Sequence, residues 1–421
     1  MIGAVAIAPA AWLALGACSL VLPEAVDPLW STGSPERIEW AALVGPPDAP
    51  CVLVATETGR VQVIDVRGGH ALRSWNLDAP GTVLCGANER AAFCSDGVRL
   101  WALPLTGPQA DPDSLPLWET RVTVLGQRRP DDPEDYPRGA GRLLGDAVIL
   151  ARNDGWIGGV RADDGQALWR KAAFANEASI LLEVDGAGCL LTTRGAAARL
   201  ALFDPQTGEL AADVRLSSGA PLRAVALGAR LALVYAGLVE FVDARGNRVQ
   251  VDLPGEFRAS AALIAGRNAE RGWELLLCDA QSGACVSVAP VGEAQPLVTL
   301  DLKESETPLA LDAFGTWAAL RCAAGTWWFR QSEAPTLVAC RPLSAWAEGD
   351  RAWVLTHAPD RTLLLNGLNF RADPGSEAGE TELRTVALRA DAPAAIRNAL
   401  WAPDRVLLIE TRRVRAYTLP R

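Results

Sequence analysis

Residues 146–174 carry the reading that decides the fold. They run Val148-Ile149-Leu150-Ala151-Arg152-Asn153-Asp154-Gly155, then Trp156-Ile157-Gly158-Gly159-Val160, then Asp163-Asp164-Gly165-Gln166-Ala167-Leu168-Trp169. An apolar run too short for a helix is followed by Asn-Asp-Gly, which tolerates the positive φ of a tight hairpin. A second apolar run, an Asp- and Gly-bearing turn and a Trp-bearing strand complete the unit. Runs rich in Val, Leu, Ile and Ala suit strands that are covered on both faces.

The same unit recurs along the chain. Val52-Leu53-Val54-Ala55-Thr56-Glu57-Thr58-Gly59 leads into Arg60-Val61-Gln62-Val63-Ile64-Asp65, and Ala92-Phe93-Cys94-Ser95-Asp96-Gly97 into Val98-Arg99-Leu100-Trp101. Further hairpin turns fall near Gly195, Gly237, Gly283, Gly325, Asp360 and Thr411. A period of ~40–50 residues is that of four-stranded propeller blades. Long amphipathic helices are missing; the stretch from Glu380 to Leu400 is the nearest to one, and Pro393 weakens it.

Three turns sharpen the class: Asp163-Asp164-Gly165 before Leu168-Trp169, Asp204-Pro205-Gln206-Thr207-Gly208 before Glu209-Leu210, and Asp65-Val66-Arg67-Gly68 with Trp75 further on. On these residues the chain resembles the PQQ-like (quinoprotein-like, WD40-like) β-propeller repeat proteins, with divergent sequence. The match is good in 51–79, 146–174 and 189–216, fair in 230–255 and poor beyond about residue 300. The resemblance implies an all-β chain with a single β-propeller of about eight four-stranded blades. Nine hairpin turns are counted, so one is expected to be an insertion. Asp27-Pro28-Leu29-Trp30-Ser31 reads as the outer strand missing after Val414–Leu419, so pairing of N- and C-terminal strands is expected to close the ring and remove a sheet edge.

The N-terminus has two readings. Residues 2–23 carry no charge, and Leu15-Gly16-Ala17-Cys18 matches a bacterial lipobox with Cys18 as the lipidated residue. Against a leader, the first Arg or Lys is Arg37, whereas a secretory signal begins with a cationic region. The alternative makes 11–15 and 19–22 two buried strands. Residues 1–26 are therefore an apolar segment of either kind, and 27–421 the propeller, with loop insertions near 107–141 and 372–381. The compartment stays open between the cytoplasm, slightly favoured, and an envelope lipoprotein.

The 421 residues carry a net charge of −10, and the densest basic run, Arg412-Arg413-Val414-Arg415, is short, so no nucleic-acid surface is expected. Only His70 and His357 are present, which leaves little room for a His-based metal site or a Ser/His/Asp triad. Nine cysteines lack any Cys-x-x-Cys spacing, which disfavours zinc-ribbon and thioredoxin chemistry. Most sit in apolar runs and read as buried thiols; Cys85 with Cys94, and Cys278 with Cys285, are placed to face each other across hairpins. Quinoprotein dehydrogenases share the repeat, but their adjacent cysteine pair is absent and no calcium ligand set assembles from spacing. Trp327-Trp328-Phe329 alternates faces and reads as packing. No Gly-rich phosphate loop occurs.

The expectation is thus a non-catalytic scaffold, without cofactor or metal, that binds other proteins through its face loops within a bacterial multiprotein assembly. Long loops on a rigid ring are where partners bind, and the candidate residues are Arg129, Asp131, Asp132, Glu134, Asp135 and Tyr136. The alternatives are an envelope lipoprotein resembling the propeller subunit of the outer-membrane β-barrel assembly machinery, a cytoplasmic propeller of the kind that accompanies MoxR-type ATPases and von Willebrand A proteins, and a PQQ-dependent dehydrogenase.

Overall fold

The computed structural model describes residues 12–13, 25–46, 48–105, 115–121, 140–151, 156–172, 178–194, 196–255, 257, 259, 262–269, 272–302, 307–314, 317–323, 325–329, 335–338, 341–348, 351–357, 363–369, 382–389, 396–402 and 404–419. No α-helix occurs among them. The strands form nine antiparallel four-stranded sheets, numbered here in chain order: sheet 1 spans 38–76, sheet 2 83–121, sheet 3 140–172, sheet 4 178–215, sheet 5 223–252, sheet 6 262–299, sheet 7 308–338, sheet 8 341–388 and sheet 9 396–418. The chain is a β-propeller, and its sheet count corrects the expected eight. Every one of the nine hairpin turns read from the sequence joins the second and third strands of its own sheet, so none is an insertion.

Position within a sheet explains composition. From sheet 2 to sheet 9 the first strands of successive sheets adjoin one another, while the first strand of sheet 1 meets the second strand of sheet 9. Second strands such as Ala91–Ser95 and Ala147–Ala151 are buried along their whole length. Outermost strands alternate, as Trp30–Gly33 and Trp118–Arg121 do. Nine apolar cores lie between neighbouring sheets. The core joining sheets 1 and 2 gathers Leu53, Val63 and Trp75 with Trp101 and Leu103. The core between sheets 9 and 1 gathers Leu407, Ile409 and Val414 with Ile38, Val52 and Ile64.

The fourth strand of sheet 9 is Trp30–Gly33, antiparallel to Arg413–Thr418 with Trp30 opposite Ala416. Two shorter pieces extend other sheets: Trp12–Leu13 runs parallel to Thr336–Val338 on sheet 7, and Ala25–Val26 runs parallel to Glu382–Leu388 on sheet 8.

The Asp-bearing turns close as their residue types require. The Asp204 carboxylate accepts from the Gln206 and Thr207 N–H groups at 2.8 Å each, while Gly208 N–H returns to the Asp204 carbonyl. Asp65 and Asp243 do the same in sheets 1 and 5. Across the Asp-bearing turns of sheets 1, 3 and 4 lies a tryptophan from the preceding sheet, whereas Ala212 lies across that of sheet 5. Trp30, Trp118 and Trp169 donate their indole N–H to the carbonyls of Val66, Ala162 and Pro205 at 2.8–2.9 Å. Two residues further on, Thr32, Thr120 and Lys171 donate to the carbonyls of Gly69, Gly165 and Gly208.

Of the cysteine pairs, Cys278 and Cys285 sit opposite each other and form a disulfide, with Cα atoms 4.1 Å apart. Cys85 and Cys94 do not pair. The strand register slips between Leu84 and Gly86, leaving Cys85 as the extra residue of a bulge. Its side chain therefore enters the core toward sheet 3, while Cys94 faces sheet 1. Burial raises the thiol of Cys85 to about 12 and that of Cys94 well above its ordinary value, where the nearby Cys85 adds to the rise. Trp327 and Trp328 do fall on opposite faces, in the cores toward sheets 6 and 8 respectively.

Candidate functional site

One face of the propeller collects the N-terminal ends of all the first strands and the turns between second and third strands. On it, where sheets 9, 1 and 2 meet, lies a cleft of about 380 Å³. Arg37 reaches it from the link into sheet 1, Glu39 and Trp40 from the first strand Ile38–Val44, and Glu57 from the adjoining turn. Val83 begins sheet 2 and Arg397 lies in the first strand of sheet 9.

Local hydrogen bonds fix the scaffold of the cleft. The Trp40 indole N–H donates to the Thr82 carbonyl at 2.5 Å, and the Thr82 hydroxyl to the Ala79 carbonyl at 2.6 Å. Arg397 donates to the Ile38 carbonyl at 2.7 Å, tying sheet 9 to sheet 1. Behind the rim, Glu36 accepts from the hydroxyls of Thr56 and Thr58. Those two bonds, Thr56 first, hold its carboxyl below the usual range, with burial opposing and Arg60 assisting.

Apart from that Arg397 bond, the rim side chains are less committed. Arg37, Glu39, Glu57 and Arg397 are all exposed, and none forms an ion pair among the described residues. Glu57 accepts only the Arg37 main-chain N–H, at 3.4 Å. Val83 is 38% exposed, and Leu222 and Leu309, at the starts of sheets 5 and 7 on the same face, are 38% and 55% exposed. Such a surface offers two guanidiniums, two carboxylates, an indole and aliphatic contacts, which is the chemistry of polypeptide recognition.

The residues favoured by sequence lie elsewhere. Arg129, Asp131, Asp132, Glu134, Asp135 and Tyr136 fall outside the described residues, as do Cys18 and 372–381. The cleft residues carried no sequence signal beyond their position at strand beginnings, because packing of the last sheet against the first brings residue 397 to residue 37. Among the described residues no group of three His, Cys, Asp or Glu side chains gathers as a metal site, and no helix is long and apolar enough to cross a membrane.

No family model matches the chain, and no curated protein matches it. Solved structures do. BamB from Moraxella catarrhalis is 15% identical with a TM-score of 0.48, covering 80% of this chain and 96% of that one. The C-terminal WD40 domain of Sif2 is 9% identical with a TM-score of 0.48, covering 81% and 95%. The dihydro-heme d1 dehydrogenase NirN is 12% identical with a TM-score of 0.45, covering 85% and 78%. These neighbours include a WD40 domain and an enzyme. The chain is a β-propeller by its own nine sheets, and its sequence is divergent.

Proposed function

We propose that this chain is a non-catalytic scaffold, one component of a multiprotein assembly, whose partner docks on the face that carries the cleft. The supporting observation is the rim of Arg37, Glu39, Glu57 and Arg397 around Trp40, exposed and without ion-pair partners among the described residues. Desolvated aromatic and Arg contacts dominate protein interfaces, and rim charges set register and on-rate. In this reading the ring is closed, with Trp30–Gly33 as its last strand, so the face is rigid and binding requires little ordering.

The test places a photo-crosslinking residue at Val83, beside the cleft, or at Val291, an 80% exposed residue in the loop between the third and fourth strands of sheet 6 on the opposite face. Crosslinking is carried out in the cells that make the protein. Discrete adducts from position 83 that vanish in the R37E variant, with none from position 291, are the expected result. Equal adducts from both faces, or adducts indifferent to charge reversal, would sink the proposal.

A further inference from the structure

We infer that the docking partner presents an acidic polypeptide segment, held on the sheet 9 side of the cleft by Arg37, Arg397 and, beside them, Arg412. This rests on the docking reading above and adds the chemistry of the occupant. The run Arg412-Arg413-Val414-Arg415 is the densest basic stretch of the sequence, and the fold divides it. Val414 enters the core between sheets 9 and 1. Arg415 lies 3.0 Å from Glu410, the two side chains being 6% and 7% exposed. Arg412 stays exposed, in the turn between the second and third strands of sheet 9 and on the face that carries the cleft.

Two main-chain bonds fix that turn beside the link into sheet 1. The Ser34 N–H donates to the Arg412 carbonyl at 2.8 Å, and the Ile38 N–H to the Thr411 carbonyl at 2.7 Å. Arg37 lies on the link between those two donors. Arg397, in the first strand of sheet 9, is drawn to the same link by its bond to the Ile38 carbonyl at 2.7 Å. That bond uses one nitrogen and leaves the other guanidinium donors available. Ring packing therefore gathers three exposed guanidiniums on fixed backbone, and none forms an ion pair among the described residues.

Charge is sorted across the cleft. The side toward sheet 9 offers Arg397 and Arg412, and the nearby carboxylate of Glu410 is buried against Arg415. Glu39 and Glu57 stand on sheet 1, and the side toward sheet 2 offers Thr82 and Val83 after the exposed Asp78. Carboxylates of a partner fit the first side, while Val83 gives an aliphatic contact on the other. Like charges gathered without counter-ions repel one another, and a carboxylate arriving among them relieves that repulsion. Guanidiniums also take carboxylates in bidentate fashion. With a net charge of −10, the protein as a whole repels an acidic chain, so this island decides where one lands.

The test uses the full chain and a fluorescein-labelled peptide of ten glutamates, followed by anisotropy at low salt. Matching probes are a peptide of ten lysines and a ten-nucleotide oligothymidylate. The glutamate peptide is expected to bind, about tenfold more weakly to R412E and about tenfold more tightly to E39Q/E57Q, with the urea midpoint of each variant that of the parent. No binding, binding indifferent to both variants, or preference for the lysine peptide would overturn the inference. Oligothymidylate bound as tightly as the glutamate peptide would overturn it too, by showing attraction to any polyanion. The docking reading is judged separately, by the crosslinks from position 83. Adducts there that persist in R412E but vanish in E39Q/E57Q would keep that reading and make the partner's segment basic.

Discussion

Two arcs of this propeller reach one architecture by different means. Between sheets 9 and 1, 2 and 3, and 3 and 4, neighbours are fastened at the rim: Trp30, Trp118 and Trp169 lie across the next turn and bond its carbonyl. From sheet 7 to sheet 9 the fastening lies nearer the centre. Trp346 stacks on Trp353 at 5.1 Å and on Trp401 at 6.2 Å, and Trp401 donates to the Ser344 hydroxyl at 2.9 Å. Arg321 pairs with Asp312 at 2.6 Å and reaches the Leu343 carbonyl of sheet 8. Further out, the Tyr417 hydroxyl on the third strand of sheet 9 donates to the Arg389 carbonyl at the end of the outer strand of sheet 8, at 2.6 Å. The first device is a short motif repeated in register; the second is assembled from single long-range contacts.

The largest expected effect breaks the first device. Replacing Trp169 by Ala removes its indole bond to Pro205, its edge contact with Phe203 at 5.5 Å and its cover over Gly208. A loss of about 3 kcal/mol is expected, read from the urea midpoint. Trp346→Ala leaves Trp353 and Trp401 to close on each other and is expected to cost about 2 kcal/mol. Equal losses would show that the arcs are held alike.

This contrast is also what made one arc legible. The turn Asp204-Pro205-Gln206-Thr207-Gly208 writes its hydrogen bonds into residue identity, so the first arc resembles a known repeat. Trp346, Trp353 and Trp401 meet across two sheets and leave no spacing to read, which is why the resemblance fades beyond about residue 300. Counting hairpin turns reached nine, and the family consensus drew the expectation down to eight; the local turn chemistry was the better guide. Cys85 was misread because pleat alternation was carried through Gly86, where a glycine inside a strand marks a bulge. The cleft was invisible because ring packing, not spacing, joins Arg397 to Arg37. Alternation sufficed for Trp327 and Trp328, where no bulge intervenes.

A sharper test isolates the contact beneath the tryptophan. Gly208 has φ of +67°, and a Cβ there would lie 2.5 Å from Trp169 Cδ2. Gly208→Ala meets both a left-handed backbone and an overlap, and is expected to cost about 2–3 kcal/mol. Gly145 has φ of +56° with nothing within 4 Å of the added Cβ. Gly145→Ala carries the backbone penalty alone, about 1 kcal/mol. Similar midpoints for the two variants would mean that the tryptophan moves aside at little cost, and that the rim device is a weak one.

The smallest effect concerns acid. Asp204 is held below the ordinary carboxylate range chiefly by the Thr207 N–H, with burial opposing and the Gln206 N–H assisting. Asp243 is lowered as well: burial opposes the shift, and the bonds from Asn247 and Arg245 outweigh it. A carboxyl with a depressed folded pKa lends stability above its unfolded value, near pH 4, and loses it as pH falls through the folded value. Amide protection at 204–209 and 243–247 is therefore expected to fall below about pH 4. Asp204→Asn keeps the acceptor oxygen and should remove the pH response at 204–209 while preserving the turn. If that variant still loses protection there on acidification, the response comes from the surrounding sheets, and the aspartate turns are not what distinguishes this arc.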